Sequence, residues 1–301
     1  MPGRPISFAA NVDPSVASLG DARAIARRAD ELGLDLIGIQ DHPYQWRFLD
    51  TWMLMATLLA ETERIHVFPN VANLPLRGPA VIAKQAASLD VLSGGRFELG
   101  LGAGAFWEAI EAMGGPVRSP REALEALEEA VQIIRLFWSG ERTITFEGSH
   151  YTVKGLHPGP QPVHAVGIWI GAYKPRMLNL IGRLADGWVP SLPYAPPDQI
   201  PAMQKRIDDA AREAGRDPDA IRRIYNVMGE ITDGPARGLL EGPVEHWIEE
   251  LTRFVVELGF DTFTFWAREN YLAQLERFAR EVIPGVVQST GRSRAEERAT
   301  T

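Results

Sequence analysis

Residues Ser88–Gly104, SLDVLSGGRFELGLGAG, decide the fold class of this chain. The segment reads as the end of a helix, a Ser-Gly-Gly turn, a short strand and a glycine-rich loop, which together make half of a βα unit. In a chain of repeating βα units, a loop of small residues at the carboxyl end of a strand is a typical site for a ligand. The pattern also fits a turn that serves only packing, so the rest of the sequence has to decide.

Short apolar runs alternate with helical patterns along the whole chain. The runs that predict strands are Ile6–Val12, Leu34–Gln40, Ile65–Val71, Arg96–Leu101, Gly167–Ala172, Gly187–Ser191, Ile224–Glu230 and Thr262–Ala267. The patterns that predict helices are Asp21–Leu32, Leu49–Thr62, Pro79–Leu92, Pro120–Trp138, Pro175–Leu184, Asp198–Gly215, Pro243–Leu258 and Tyr271–Ile283. Several of these helices open with proline, whose missing N–H would be unpaired in a first turn anyway.

Eight βα units predict an α/β fold with a parallel sheet closed into a single (β/α)₈ TIM barrel over residues 1–287. An open doubly wound sheet is the alternative, but it needs a topological switch point, and the alternation shows no break. Residues 139–166 form an insertion before strand five, interpreted as a short hairpin and loop that serve either as a lid over the barrel mouth or as surface decoration. Residues 288–301 form a polar tail that we expect to be disordered.

Composition narrows the function classes. Of the 301 residues, 31 are Lys or Arg and 39 are Asp or Glu, a formal net charge of −8 that argues against a nucleic-acid surface. The chain has no cysteine, which excludes disulfides, thiol nucleophiles and thiolate metal sites. No signal peptide and no membrane span is predicted, and the six histidines show no metal-ligand spacing. We therefore expect a cytoplasmic protein without a metal site.

Polar and aromatic residues follow the predicted strands at their carboxyl ends, where a barrel builds its site. They are Asn11, Asp13, Asp41, His42, Trp46, Asn70, Asn73, Ala103, Gly104, Tyr173, Lys174, Ser191 and Trp266. His42 can donate or accept a proton near neutral pH, and Trp46 offers a flat wall to a planar ring. The alternative is that Asp41 caps a turn and His42 packs passively.

The segment Gly171–Met177, GAYKPRM, joins strand five to a helix. Small residues allow the backbone to approach an anion, and the start of the helix presents free N–H groups and the positive end of its dipole. Lys174 and Arg176 add positive charge. The segment is interpreted as a phosphate cradle, although a small-residue turn before a helix is also common in packing.

Four motifs resemble the bacterial luciferase-like monooxygenase superfamily, and most of all its branch that uses the deazaflavin coenzyme F420. They are QDHPYQW (Gln40–Trp46), FPNVANLPLRGPAVIAKQAASLDVLSGGRFELGLGAG (Phe68–Gly104), GAYKPRML (Gly171–Leu178) and LADGWVPS (Leu184–Ser191). The resemblance covers Ile6 to Pro284 and implies the same barrel with an insertion before strand five. It also implies a homodimer, because the family commonly pairs its subunits.

The resemblance assigns roles by position. It implies that His42 is the catalytic proton donor or acceptor and that Trp46 and Trp107 line the substrate pocket. It places a non-proline cis peptide bond at Asn70-Val71, behind the cofactor ring. The residues that it implies for cofactor binding are Asp41, Asn70, Val71, Asn73, Ala103, Gly104, Tyr173, Lys174, Arg176 and Met177.

The chain departs from the sugar-phosphate dehydrogenases of the deazaflavin branch at Ala105, where they have a glutamate. The resemblance therefore predicts hydride transfer between F420 and a small apolar or aromatic organic substrate, with Lys174 favouring an acidic cofactor tail or a phosphate. The nearest alternative is a monooxygenase that uses reduced FMN and molecular oxygen, with the 139–166 insertion excluding water. A catalytically silent flavin-binding protein is the second alternative.

Overall fold

The computed structural model describes the backbone of residues 4–300 and the side chains of residues 4–291. Its strands are β1 Ser7–Val12, β2 Leu36–Ile39, β3 His66–Pro69, β4 Ala72–Asn73, β5 Leu99–Gly102, β6 Ile144–Glu147, β7 Thr152–Leu156, β8 Ile168–Ile170, β9 Gly187–Trp188, β10 Arg222–Ile231, β11 Glu241–Gly242 and β12 Thr262–Ala267. Its α-helices are α1 Leu19–Glu31, α2 Thr51–Ala60, α3 Pro79–Ser93, α4 Trp107–Ala112, α5 Pro120–Phe137, α6 Pro175–Leu184, α7 Ile200–Glu213, α8 Val244–Val256, α9 Tyr271–Arg277 and α10 Ile283–Thr300.

The wall strands pair in parallel in the order β3-β2-β1-β12-β10-β9-β8-β5-β4. The two ends of this sheet meet where the N–H of Val67 donates to the carbonyl of Arg96 at 2.9 Å and the N–H of Glu98 donates to Val67 at 3.0 Å. The predicted (β/α)₈ barrel is thereby confirmed. The third strand position is divided into β3 and β4. The other seven predicted strands are all found, Thr262–Ala267 with the predicted bounds and the rest with one or both ends shifted by up to three residues.

The stretch that decides the fold class forms the predicted turn. Helix α3 ends at Ser93, and Gly94 follows with φ of +70°, a left-handed conformation that glycine adopts without steric cost. The N–H of Gly95 then donates to the carbonyl of Asp90 at 2.8 Å, which satisfies one of the free carbonyls at the helix end. The chain therefore reverses within three residues and enters the barrel wall at β5.

Two apolar layers hold the barrel together. Alternate strand residues face outward and pack against the helices, where most of the buried apolar side chains lie. The others face inward and fill the barrel with the side chains of Ala9, Leu36, Phe68, Trp169, Val189 and Ile224. This inner layer closes the barrel below its rim. The next inward-facing residues, two positions further along the strands, are mostly polar and form the floor of the mouth.

The insertion does not form a lid over the mouth. Strands β6 and β7 make the expected antiparallel hairpin, but its tip lies on the outer face of α5. There the Glu129 carboxylate accepts the backbone N–H groups of Ser149, His150 and Tyr151 at 2.7, 3.0 and 2.9 Å. The alternative of a surface element is the one that the structure supports, because a carboxylate on an outer helix binds the hairpin.

The second half of the insertion runs to the amino ends of the strands, opposite the mouth. Asp90, at the end of α3, accepts the backbone N–H of Val163 at 2.7 Å and pairs with Nδ1 of His164 at 2.6 Å. His164 Nε2 also lies 3.5 Å from Glu98, just before β5. These contacts bind residues 163–164 to the base of the barrel.

The carboxyl-terminal residues differ from the expectation of a disordered tail. Helix α10 continues from Ile283 to Thr300, after a π-helical turn at Phe278–Val282 that interrupts the single helix predicted there. Thr290 is 2% exposed, and its hydroxyl donates to the carbonyl of Val286 at 2.7 Å. The buried Thr290 thus holds the first residues of the predicted tail in a helix. Residue 301 and the side chains after residue 291 lie outside the described residues. Among the described helices, none combines the length and apolar content that a bilayer crossing requires.

The contact of His164 predicts a pH-dependent stability. Its hydrogen bond to Glu98 and the negative charges of Glu98 and Asp90 outweigh burial and raise the pKa of His164 above its usual value of 6.5. A raised pKa in the folded state adds stability that is complete below pH 6.5 and is lost as the pH rises through the folded-state pKa. The difference in melting temperature between wild type and His164→Gln should therefore be largest near pH 5.5 and shrink towards pH 8.5. His66, whose pKa burial lowers, is common to both proteins, and a constant difference across this range would contradict the prediction.

Candidate active site

The floor of the mouth is a layer of inward-facing polar side chains at the carboxyl ends of the strands. Asn70, after β3, and Asn226, on β10, pair through their amides at 2.8 and 3.2 Å. Asn226 also donates to Ser191 Oγ at 2.9 Å. Strands β3 and β10 lie four positions apart in the barrel wall, so this amide pair spans the barrel and fixes the floor.

Val71 stands on the side of the floor formed by β5 and β8. The Asn70-Val71 peptide bond is cis, as the resemblance implied. A Cβ placed on Gly102 would meet Val71 Cγ2 at 2.7 Å, and one on Gly171 would meet it at 3.3 Å. The two glycines therefore leave room for the valine side chain to project between strands.

Asp41 is buried at the rim and is bound on both carboxylate oxygens. It is 2% exposed, and it accepts the backbone N–H of Asn73 at 2.9 Å. Arg77 donates to its two oxygens at 3.2 Å each and to Asp50, the N-cap of α2, at 2.6 Å. Burial alone would lower the pKa of Arg77 and raise the pKa of Asp50. The ion pairs outweigh burial, so the pKa of Arg77 is raised and the pKa of Asp50 is lowered.

The loops after β4 and β5 meet beside this ion pair. The Asn73 side-chain oxygen accepts the N–H of Leu76 at 3.2 Å and so caps the short turn that leads to Arg77. Gly104 has φ of +107°, and a Cβ there would lie 2.6 Å from Pro75 and 2.7 Å from Trp107. Only glycine fits, so Ala103 and Gly104 present bare backbone at the rim. Trp107 packs on Gly104 and is not on the wall of the cavity described below.

His42 lies half-buried under aromatic side chains. Its Nδ1 is 2.7 Å from the hydroxyl of Tyr44, and its ring contacts that of Phe106 edge-on at 5.9 Å. Burial lowers the pKa of His42, although the charge of Asp41 opposes it. Burial, with the charge of Asp41, raises the pKa of Tyr44 to about 12. At neutral pH both groups are therefore uncharged, and His42 Nε2 has no protein hydrogen bond in the described part of the chain.

The segment predicted as a phosphate cradle begins α6 as expected. Lys174 is the N-cap and Pro175 the first residue of the helix. Lys174 and Arg176 are exposed, and within residues 4–291 neither side chain forms an ion pair or hydrogen bond. Tyr173 is partly buried against Tyr194 at 5.5 Å between ring centroids, and Met177 packs on the core. Two free cations thus flank the unpaired N–H groups of a helix start.

A cavity of about 1040 Å³ opens on the opposite side of the rim, at the ends of β1, β2 and β12. Gln40, Trp46 and Trp266 are on its wall. Trp46 is 85% exposed and carries Arg47 over its ring at 5.5 Å. Asp41, Tyr173 and Lys174 are not part of this wall. The rim therefore has two sectors, with His42 in the loop that separates them.

Sequence reasoning missed several residues that complete the site. Arg77 lies within a quoted motif but received no role, although a lone arginine in an apolar stretch indicates a buried partner. Tyr44 and Phe106 neighbour assigned residues, yet their contacts with His42 depend on loop conformation. Asn226 sits within a strand that reads as apolar, and its pairing with Asn70 joins residues 156 positions apart.

The buried ion pair of Asp41 and Arg77 can be tested by unfolding. Arg77→Met leaves the Asp41 charge buried without its counter-charge, which should lower the free energy of unfolding by about 3–5 kcal/mol. The double variant Asp41→Asn/Arg77→Met removes both charges and should recover part of that loss in denaturant titrations. Equal losses in the single and double variants would show that charge pairing is not the cause.

The luciferase-like monooxygenase family model matches residues 5–239 of the chain. The F420-dependent glucose-6-phosphate dehydrogenase of Kineococcus radiotolerans is 29% identical over 249 residues, covering 79% of this chain and 72% of that protein. An F420-dependent secondary alcohol dehydrogenase, solved with an F420-acetone adduct, superposes with a TM-score of 0.84 at 20% identity, covering 94% and 99% of the two chains. The oxygenating constituent of 3,6-diketocamphane monooxygenase from Pseudomonas putida, solved with FMN, superposes with a TM-score of 0.77 at 18% identity. The match covers 93% of this chain and 99% of that chain. At these identities the two structures establish the fold alone, whereas the family match over residues 5–239 shows that the chain belongs to the luciferase-like monooxygenase family of oxidoreductases.

Proposed function

We propose that the protein is an F420-dependent oxidoreductase that transfers a hydride between the deazaflavin and a small neutral organic substrate. The observation that carries the proposal is the position of His42. One ring nitrogen is held by Tyr44 at 2.7 Å, the other is unpaired among the described residues, and the loop that bears it separates the two sectors of the rim. A proton-transfer group is needed at such a boundary between a cofactor and its substrate.

The chain's residues fit a phosphorylated, ring-bearing cofactor in the sector of β4, β5 and β8. The backbone N–H groups of Arg176 and Met177, with the Lys174 ammonium, would hold the phosphate and the acidic tail. Val71 would support the ring, and the bare backbone at Ala103 and Gly104 would approach its edge. Asn70 and Asn73 would bound the ring from the floor. When bound, the cofactor supplies the hydride acceptor or donor.

Asp41 supports this sector indirectly. Both of its carboxylate oxygens are bound by Arg77, and one also holds the Asn73 N–H, so in this arrangement it positions the loop that would contact the ring. The ring contact that the resemblance implies for Asp41 stays a prediction.

The chemistry proposed for His42 follows from its protonation. Because burial lowers its pKa, the neutral imidazole predominates at pH 7 and can accept a proton from a substrate that is being oxidised. Tyr44 keeps its own proton with a pKa of about 12, and its hydroxyl can either donate to Nδ1 or accept from it. Tyr44 can therefore hold either tautomer of the ring while Nε2 exchanges the proton in the forward and reverse directions.

Two observations favour F420 over FMN. The curated relative that matches 79% of this chain is named as F420-dependent, whereas the FMN-bound neighbour resembles the chain in fold alone. In addition, the insertion lies on α5 and away from the mouth, so it does not supply the cover from water that oxygen chemistry on a flavin would require. The homodimer and the cytoplasmic location stay predictions.

Cofactor choice can be measured by fluorescence titration. The purified protein should bind F420 at least about tenfold more tightly than FMN, and Lys174→Glu should weaken F420 binding by about tenfold because it reverses a charge beside the phosphate. Lys154→Glu makes the same charge change on the exposed hairpin and should leave both affinities unchanged. Tighter binding of FMN than of F420 would overturn the cofactor assignment.

His42 should affect turnover far more than binding. With the alcohol that the wild type oxidises fastest, His42→Ala should lower kcat by about 10²–10⁴-fold, the usual contribution of a general acid or base. The dissociation constant of F420 should change by less than about threefold. Comparable losses in kcat and in F420 affinity would make His42 a binding residue instead.

A further inference from the structure

The cavity of about 1040 Å³ opposite the proposed cofactor sector is lined by two residues that each carry a buried polar atom without a partner among the described residues. Asn11 is 8% exposed, and its Oδ1 is buried without a hydrogen bond in the described part of the structure. The indole Nε1 of Trp266 is likewise buried without a partner among the described residues. Both residues are on the cavity wall. A polar atom buried without a hydrogen bond is costly, and such atoms are rare in folded proteins.

The two atoms sit at the same level of adjacent strands. Strands β1 and β12 pair in parallel with Ala10 opposite Phe265, so the next residues, Asn11 and Trp266, are neighbours. Both face inward by strand alternation, because Phe265 belongs to the outer core. An acceptor and a donor are thus presented side by side, at a lateral spacing of about 5 Å between strands.

Asn11 is held in place. Its backbone N–H donates to the hydroxyl of Tyr271 at 2.8 Å, and that hydroxyl donates to the carbonyl of Phe265 at 2.5 Å. The tyrosine therefore fixes the end of β1 to β12 at the level of the unpaired atoms. This arrangement preorganises a binding position at the rim.

The charges around the cavity do not match an anion. Its wall carries three carboxylates, Asp13, Asp21 and Glu269, and two arginines, Arg47 and Arg268. Arg268 pairs with Glu241 at 3.4 Å, and Arg47 lies over the ring of Trp46. Because the carboxylates outnumber the arginines and Arg268 is paired with a carboxylate, the wall is net negative and disfavours a phosphorylated substrate.

We propose that this cavity is the substrate pocket and that Asn11 and Trp266 together bind one hydroxyl group of a neutral organic substrate. The hydroxyl donates to Asn11 Oδ1 and accepts from Trp266 Nε1, which no purely apolar group and no carbonyl alone can do. The assignment of the cavity to the substrate rests on the proposed function, since that function places the cofactor in the other sector. The hydroxyl site itself depends only on the two unpaired atoms.

Benzyl alcohol and toluene provide a matched pair of probes that differ by one hydroxyl. Their binding to the full-length protein can be followed by the indole N–H signals of the eight tryptophans in NMR spectra, with and without saturating F420. The signal of Trp266 is identified by its loss in Trp266→Phe. Benzyl alcohol should bind the wild type more tightly than toluene and shift the Trp266 signal, although water solvates its hydroxyl better.

Asn11→Leu replaces the unpaired amide with an apolar side chain of similar size. It should fold stably, because it removes a buried polar atom that has no protein partner, and it should change the ratio of the two dissociation constants by about tenfold or more towards toluene. Trp266→Phe should change the ratio in the same direction. Thr252→Val is the matched control, since its hydroxyl is also buried without a partner among the described residues but lies on α8, outside the cavity wall.

Three results would overturn the proposal: tighter binding of toluene by the wild type, a Trp266 signal that benzyl alcohol does not move, or an unchanged ratio in Asn11→Leu. The spectra without cofactor separate this test from the proposed function. Failure of F420 to bind would contradict that function while leaving the hydroxyl site measurable.

Discussion

The ion pair between Asp41 and Arg77 is the interaction on which the rest of the site depends. It joins the loop after β2, which carries His42, to the turn after β4, which carries Asn73. Through Asp50 the same guanidinium reaches the start of α2. A buried pair of this kind contributes little net stability, but breaking it is costly, so it restricts the two loops to one relative arrangement. The position of the imidazole at the rim follows from that restriction.

The barrel then divides its rim between two kinds of recognition. On the side of β5 and β8, bare backbone, Val71 and the exposed Lys174 and Arg176 suit a flat, phosphorylated group. On the side of β1 and β12, amide and indole atoms without a partner in the described part of the chain suit the proposed hydroxyl. The amide pair of Asn70 and Asn226 crosses the floor between them.

Local sequence patterns predict the barrel because its strands and helices are local features. The left-handed turn at Gly94 and the proline at the start of α6 are also signalled by single residues. The position of the insertion could not be predicted in this way, because the hairpin is held by Glu129, a residue that reads as an ordinary solvated position on α5. The cis peptide bond at Asn70-Val71 was reached only through resemblance, since no residue type in the pair requires it.

The site residues show the same limit. His42 and Lys174 could be placed from their positions after strands, but their chemistry is set by partners far away in the sequence or in adjacent loops. The sequence places Asn11 and Trp266 at the mouth. It does not show that Asn11 Oδ1 and Trp266 Nε1 are buried without hydrogen bonds among the described residues, which depends on the packing around them. Unpaired polar atoms in a well-packed protein are therefore informative about a ligand in a way that strand position is not.

Ala105 and the charges of the cavity both bear on which class of substrate the site could accept. Ala105 supplies no carboxylate above the glycine loop, and the proposed proton transfer therefore relies on the imidazole of His42. The cavity wall carries three carboxylates against two arginines, one of which is paired with Glu241, so the selectivity proposed for it rests on neutral hydrogen bonds and apolar contact. A relative named for a phosphorylated sugar matches this chain in sequence, and a neighbour named for a secondary alcohol shares its fold. The proposed hydroxyl site and the excess of carboxylates on the cavity wall both favour an uncharged, hydroxyl-bearing substrate over an anion, because burying an anion beside like charges costs free energy.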